Sequence, residues 1–139
     1  MAIPEDFEPH FRKSPVTAPW EPLYSRRRAD AVDLAFEVQM AHCNSRGMLH
    51  GGVLAALCDN IMGLSLGVAL RAEANIVTIS LALDYVGSAR VGDLVIVAPR
   101  VIRAGGNLGF CDALATVDDR PIARANASFS IRIADTKPS

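Results

Sequence analysis

Aromatic residues are scarce in this sequence, 6% of 139 positions, and four of the eight (Phe7, Phe11, Trp20 and Tyr24) fall within the first 24 residues. The core of the remaining chain must therefore be aliphatic, and few ring faces are left on which nucleic-acid bases could stack. An excess of charge of one sign is missing too, with 14 Lys+Arg against 15 Asp+Glu and a formal charge of -1. That balance excludes a protein that works by neutralising phosphate backbones, so no nucleic-acid partner is expected. The three cysteines, Cys43, Cys58 and Cys111, cannot form a complete set of disulfides. They show neither CxxC spacing nor a neighbouring histidine cluster, so no metal is expected, and a reducing cytoplasm is the expected location. The N-terminal MAIPEDFEPHF has early acids and prolines and no apolar run of the kind a secretory signal needs.

What is present is a globular composition, 50% hydrophobic and 21% charged, which excludes disorder and low-complexity chains. At this length there is room for one domain that buries roughly 70% of the surface of its unfolded chain. Five of the eight prolines lie in the first 22 residues. Proline fixes φ and removes a backbone donor, so residues 1–29 read as an irregular or briefly helical arm, docked through its aromatics onto a domain spanning 30–139. The run Arg26-Arg27-Arg28 reads as a solvated turn or a phosphate contact.

From Ala31 to Met40 the pattern alternates: Val32, Leu34, Phe36, Val38 and Met40 on one face, Asp33, Glu37 and Gln39 on the other. Period two over this length is a half-buried strand. A polar loop follows, and then Gly51 to Leu70 reads as a helix that is apolar almost all round and needs cover on most sides. Asp59 and Asn60 at its middle argue against a membrane span. Beyond Arg71 the chain reads as strands. Val77, Ile79, Leu81, Leu83 and Tyr85 share one face; Leu94 to Val97 is continuously apolar and so central; Gly105-Gly106-Asn107 and Asp118-Asp119 mark hairpins. Ala125, Ala127, Phe129, Ile131 and Ile133 alternate with polar residues. One apolar helix and an antiparallel sheet satisfy each other when the sheet curls around the helix. The exposed edges of such a sheet favour dimerisation through an edge strand.

The segment His42 to Gly52, with Asp59, carries the chemistry. A helix start leaves backbone N–H groups without intrahelical partners, and the dipole adds partial positive charge there. At Gly51 and Gly52 no Cβ bars the approach of a ligand oxygen, so a developing oxyanion could be received. Asp59, an acid within an apolar helix, is either a carboxylate satisfied by Asn60 or Thr78, or a general base or nucleophile. Gly52 and Asp59 lie on nearly one helical face about 10.5 Å apart along the axis. No single carbonyl reaches both, so a twofold dimer with antiparallel helices would be needed to bring one copy's Gly51 to the other's Asp59. Cys58 and Cys111 read as small core residues, and His10 and His42 as surface or loop histidines.

The string H-x-N-x-x-G-x-x-H-G-G-x-x-x-x-L-x-D-N, His42 to Asn60, resembles the signature of hotdog-fold acyl-CoA thioesterases, most nearly the phenylacetate-pathway branch. The resemblance extends over Val32 to Ile133. It implies an α+β hotdog fold, a long central helix wrapped by a curved five- to six-stranded antiparallel sheet. It implies hydrolysis of an aryl- or medium-chain acyl-CoA, with coenzyme A as part of the substrate and no separate cofactor. It assigns Asp59 as base or nucleophile, Gly51 as oxyanion donor, His50 and Asn44 as groups that polarise the thioester, and Thr78 as the residue that holds the water. It also implies a site assembled across a homodimer, with a homotetramer in prospect. Substrate contacts are expected from Gly52, from Met62 and Leu66 lining the acyl pocket, and from Arg90, Arg103, Gly105 and Gly106 at the coenzyme phosphates. The longer, proline-rich arm departs from the family pattern. Two other readings use the same fold: a hydratase or dehydratase with His50 as base, and a non-catalytic acyl-CoA-binding module.

Overall fold

The computed structural model describes residues 3–133. Helix α1 (Gly51–Leu70) starts where the His50 ring accepts the Gly52 N–H. It stops at Arg71, whose left-handed φ of 54° lets its N–H cap Val68. By length and composition α1 could cross a membrane, but Leu54, Leu57, Ile61, Met62 and Leu66 pack it against a sheet. Ser65 ties it down further, donating to Val32 O at 3.2 Å and accepting the Val32 N–H at 2.9 Å. Cover is not all round, as the composition had suggested: Gly63, Leu64, Gly67 and Val68 face an open groove.

The sheet has seven antiparallel strands rather than five or six: β1 (Glu8–Pro9), β2 (Tyr24–Arg27), β3 (Val32–Glu37), β4 (Ala74–Tyr85), β5 (Leu94–Ala104), β6 (Leu108–Val117) and β7 (Arg120–Ile133). Their spatial order is β1-β2-β3-β5-β6-β7-β4, so β5 is central as its apolar start predicts. The two additional strands belong to the arm, which is not irregular throughout. Pro9 ends β1, Pro19 lies in a short 3-10 turn, and Pro4, Pro15 and Pro22 lie outside the strands, leaving Tyr24–Arg27 free to pair with Val32–Ala35. The arm also corrects the reading of the arginine run. Asp33, expected on the solvent face, is 1% exposed. Its carboxylate accepts from Arg26 at 2.7 and 3.0 Å and from Arg28 at 2.7 and 3.0 Å, so two of the three arginines serve structure. Strand β3 also stops at Glu37, short of Met40, because the chain turns into a 3-10 segment (Met40–His42).

Strand β4 departs most from its sequence pattern. Thr78 pairs with Phe129 but Ser80 pairs with Ser128, so Ile79 is an extra residue, a bulge. The bulge reverses the faces. Before it Ile76 and Thr78 share the inward register of buried Ile131 and Phe129; after it Leu81, Leu83 and Tyr85 do. Val77 therefore points outward, against the simple alternation. The outer face carries the cross-strand pairs Arg100–Asp112 and Arg124–Asp84, but it is not wholly polar as expected, since Leu108, Phe110 and Leu114 are exposed on it too. The β6–β7 hairpin turns on Asp118 and Asp119, both at positive φ.

Cys58 and Cys111 are buried, and burial pushes each thiol up to about 12, which keeps them inert at neutral pH. His10 and His42, expected as surface or loop histidines, lie outside the regular strands and α1 but are both 1% exposed. His42 Nδ1 accepts the Gln39 N–H and Nε2 donates to Trp20 O, so its ring pins the arm. Neither His10 ring nitrogen makes a well-formed hydrogen bond. Burial pushes its pKa down; Glu21 and Asn60 oppose that shift, while Lys13 and Arg12 add to it. A histidine depressed in the folded state leaves stability intact above its unfolded pKa and removes it as pH falls through the folded one. Thermal midpoints should therefore fall as pH drops below about 6.5, and His10→Gln should flatten that slope. An identical slope in the variant would remove His10 as the cause.

Candidate active site

The reversal in β4 aims Thr78 at the helix. Its Oγ1 donates to Asp59 Oδ1 at 2.7 Å, which orients the carboxylate and leaves its second oxygen open. Asp59 is half-buried at one wall of a groove of about 1060 Å³ between α1, the start of β4 and the arm, with Asn60, Gly63 and Gly67 along the same wall. A half-buried carboxylate with one oxygen held and one free can take a proton from a water in that groove.

At the start of α1 the donors divide. The Gly52 N–H bonds to His50 Nδ1 at 2.8 Å, so Gly52, expected to contact substrate, has its amide engaged within the chain. The Gly51 N–H, first in the helix, has no intrahelical acceptor. Because Nδ1 accepts, a neutral His50 carries its proton on Nε2, and the side chain is exposed. Asn44 Oδ1 accepts from Arg46 N and Met48 N at 2.9 and 3.2 Å. Its carbonyl shapes the loop, and its NH₂ is the end that can donate. Gly47, at φ +75°, makes the turn within that loop.

Tyr85, which the sequence did not single out, closes this end of the helix. Its hydroxyl donates to Gly51 O, and a Cβ at position 51 would lie 3.2 Å from the ring. The close approach is a structural reason for glycine there. The only hint was its inward register with Leu83. Gly51 and Asp59 are eight residues apart, about 12 Å of helix rise, so one chain does not bring them to one atom.

The other expected contacts separate. Arg90 bridges to Met48 beside the Asn44 loop, whereas Arg103, Gly105 and Gly106 sit at the far end of β5, where Gly105 N bonds to Leu108 O. Eleven strand residues, about 35 Å, lie between the two ends. Met62 is 0% exposed, and Leu66 is buried with it and lies over Gly109, so neither lines the groove. The large apolar helix residues that do are Leu64 and Val68. The opposite side of the groove is formed by Phe11, Arg12, Lys13 and Arg27 of the arm. No linear spacing relates those residues to Asp59.

Comparison with known proteins agrees with this fold. The model of the thioesterase superfamily matches residues 46–123, from the Asn44 loop through the start of β7. A Pseudomonas aeruginosa protein named as a putative esterase is 34% identical over 132 residues, 94% of this chain and 98% of that one. Human acyl-coenzyme A thioesterase 13 is 31% identical over 74 residues, 53% of this chain and 52% of that one, so the match spans about half of the human protein. Among solved structures, a hypothetical thioesterase of Streptococcus pneumoniae with coenzyme A superposes with a TM-score of 0.76 at 21% identity, covering 84% of this chain and 94% of that one. Its variants with a threonine or an aspartate replaced by alanine share the fold. The helix in a curved antiparallel sheet is thus the hotdog arrangement, and the chain belongs to the thioesterase superfamily.

Proposed function

We propose that the protein hydrolyses acyl-CoA thioesters at Asp59, in a site completed by a second copy of the chain. The observation that carries this reading is the Thr78–Asp59 hydrogen bond at the wall of an open groove. The carbonyl oxygen of the thioester rests on the partner subunit's Gly51 N–H, with His50 Nε2–H or the Asn44 NH₂ beside it. Water positioned by Asp59 and Thr78 attacks the carbonyl carbon and gives its proton to Asp59. Collapse of the tetrahedral intermediate breaks the C–S bond, and the departing thiolate takes a proton back. Thiolate leaves readily, so no strong general acid is required. Preorganised donors at a helix start are suited to the charge that develops on oxygen.

A second copy is supported by the edges of the sheet. Among the described residues, strand β4 pairs only with β7, and its outward residues Val77 and Ile79 are 62% and 57% exposed. A twelve-residue open edge of this kind invites pairing.

A panel of aryl-, medium-chain and branched acyl-CoAs, read by free-thiol release, tests the function. Release from at least one ester well above the uncatalysed rate is expected. Binding of esters without release would favour the non-catalytic module, and hydration of an enoyl-CoA without release would favour a hydratase. Either would overturn the proposal.

A further inference from the structure

Four cations (Arg12, Lys13, Arg27 and Arg71) line the groove, Arg71 at the end of α1 away from the helix start, against two acids, Asp59 and Glu73, and one of those acids is the reacting group. Three of the four come from the arm and the strand it forms. They are weakly committed elsewhere. Arg71 stands 3.9 Å from Asp30 with both side chains about three-quarters exposed, 76% and 73%. Lys13 shares Glu21 at 3.1 Å from an exposed position. Arg27 lies over the Phe11 ring at 4.5 Å, which holds its guanidinium without neutralising it. Arg12 has no acidic partner among the described residues. Surface cations that are weakly paired or unpaired around one opening form a site for a multiply charged anion, and guanidinium groups suit phosphate oxygens.

The spacing fits one class of anion. Arg71 is twelve residues along α1 from Asp59, about 18 Å of helix rise. A pantetheine chain, counted as about four to five extended peptide units, reaches roughly 15 Å. Along this stretch the helix presents Gly63 and Gly67, where a chain can lie close to the backbone. The antiparallel helix contact proposed above overlaps residues 51–59, which leaves this half of the groove outside it.

We infer that the arm-built mouth of the groove binds the phosphate groups of the coenzyme A nucleotide, with the pantetheine chain laid along α1 toward Asp59. This rests on the acyl-CoA reading of the same site. It places the phosphates at Arg12, Lys13, Arg27 and Arg71 in preference to Arg90 and Arg103, and it gives the arm a role in substrate recognition.

The test compares Arg12→Glu and Lys13→Glu with the parent in two measurements, each variant first shown to melt as the parent does. In turnover, the preference in kcat/KM for acyl-CoA over the matching acyl-pantetheine should shrink about tenfold, the scale of one lost charge-assisted contact. In calorimetric titration with coenzyme A itself, affinity should fall about tenfold and depend on salt. The titration needs no turnover. If no ester releases thiol but coenzyme A binds and the variants weaken it, the mouth stands and the hydrolytic reading falls. Equal affinity in parent and variants overturns the mouth and leaves hydrolysis at Asp59 standing. A larger rise in KM from Arg103→Glu than from Arg12→Glu also overturns it.

Discussion

Asp59→Ala should lower kcat for acyl-CoA hydrolysis by at least about 10²–10³-fold, the scale for loss of a positioned general base. KM should change little, because the carboxylate acts on water and the ester is held elsewhere. Asp59→Asn separates the two tasks of this side chain. An amide oxygen can still accept from Thr78 Oγ1, as the carboxylate does at 2.7 Å, but it cannot take a proton. Asparagine should therefore be nearly as damaging as alanine. Thr78→Val removes the hydroxyl that orients the carboxylate and the water, and should cost less, about tenfold in kcat. Free-thiol assays under saturating ester decide the matter. Near-full turnover in Asp59→Asn would sink the assignment of Asp59 as base.

The largest expected effect on stability lies at Asp33→Ala. The Asp33 carboxylate is 1% exposed and joins Arg26 and Arg28. Arg26 also reaches Asp6, and Arg28 donates to Pro99 O at 2.7 Å. One buried acid thus holds β2 to β3 and links both to β5. Loss of one member of a buried, hydrogen-bonded ion cluster costs about 3–5 kcal/mol. Here the arginines are partly exposed and can turn to water, so a value near 3 kcal/mol is expected, a fall in Tm of roughly 10 °C for a domain of this size. The arm should also become the first site of proteolytic cleavage. A Tm within about 2 °C of the parent would show that the cluster is a surface feature of little weight.

Much of the fold can be read in the chain because periodicity survives where an element is regular. Ala125 to Ile131 alternates through β7 with no interruption, and the structure buries each of the inward residues. The apolar run Leu94–Val97 marks the central strand, with Val95 and Val97 buried on one face and Leu94 and Ile96 half-buried on the other. In β4 the same logic misplaces Val77, since a single inserted residue reverses every later face and leaves no trace in composition. The arm defeats local reading for another reason. Proline density predicts irregular chain, yet β2 needs only four residues clear of proline, and tertiary pairing does the rest. At the site, Asp59 and Thr78 stand out as polar residues on apolar elements, and the structure brings them into contact. Tyr85 reaches the helix start, and the cations of the arm reach the groove, only through three-dimensional folding, so no short motif contains them.

The two margins of the sheet are unequal. At one, β1 has two residues and ends in Pro9, which has no N–H to offer a newcomer; at the other, β4 runs for twelve residues. A ribbon blunted on one side and open on the other can double but cannot polymerise. Copies that meet along β4 exhaust the open margin at the first encounter and present only blunt ends to the next molecule. The proline that seemed to exclude the arm from the sheet thus also limits growth of the sheet and guards against fibre formation.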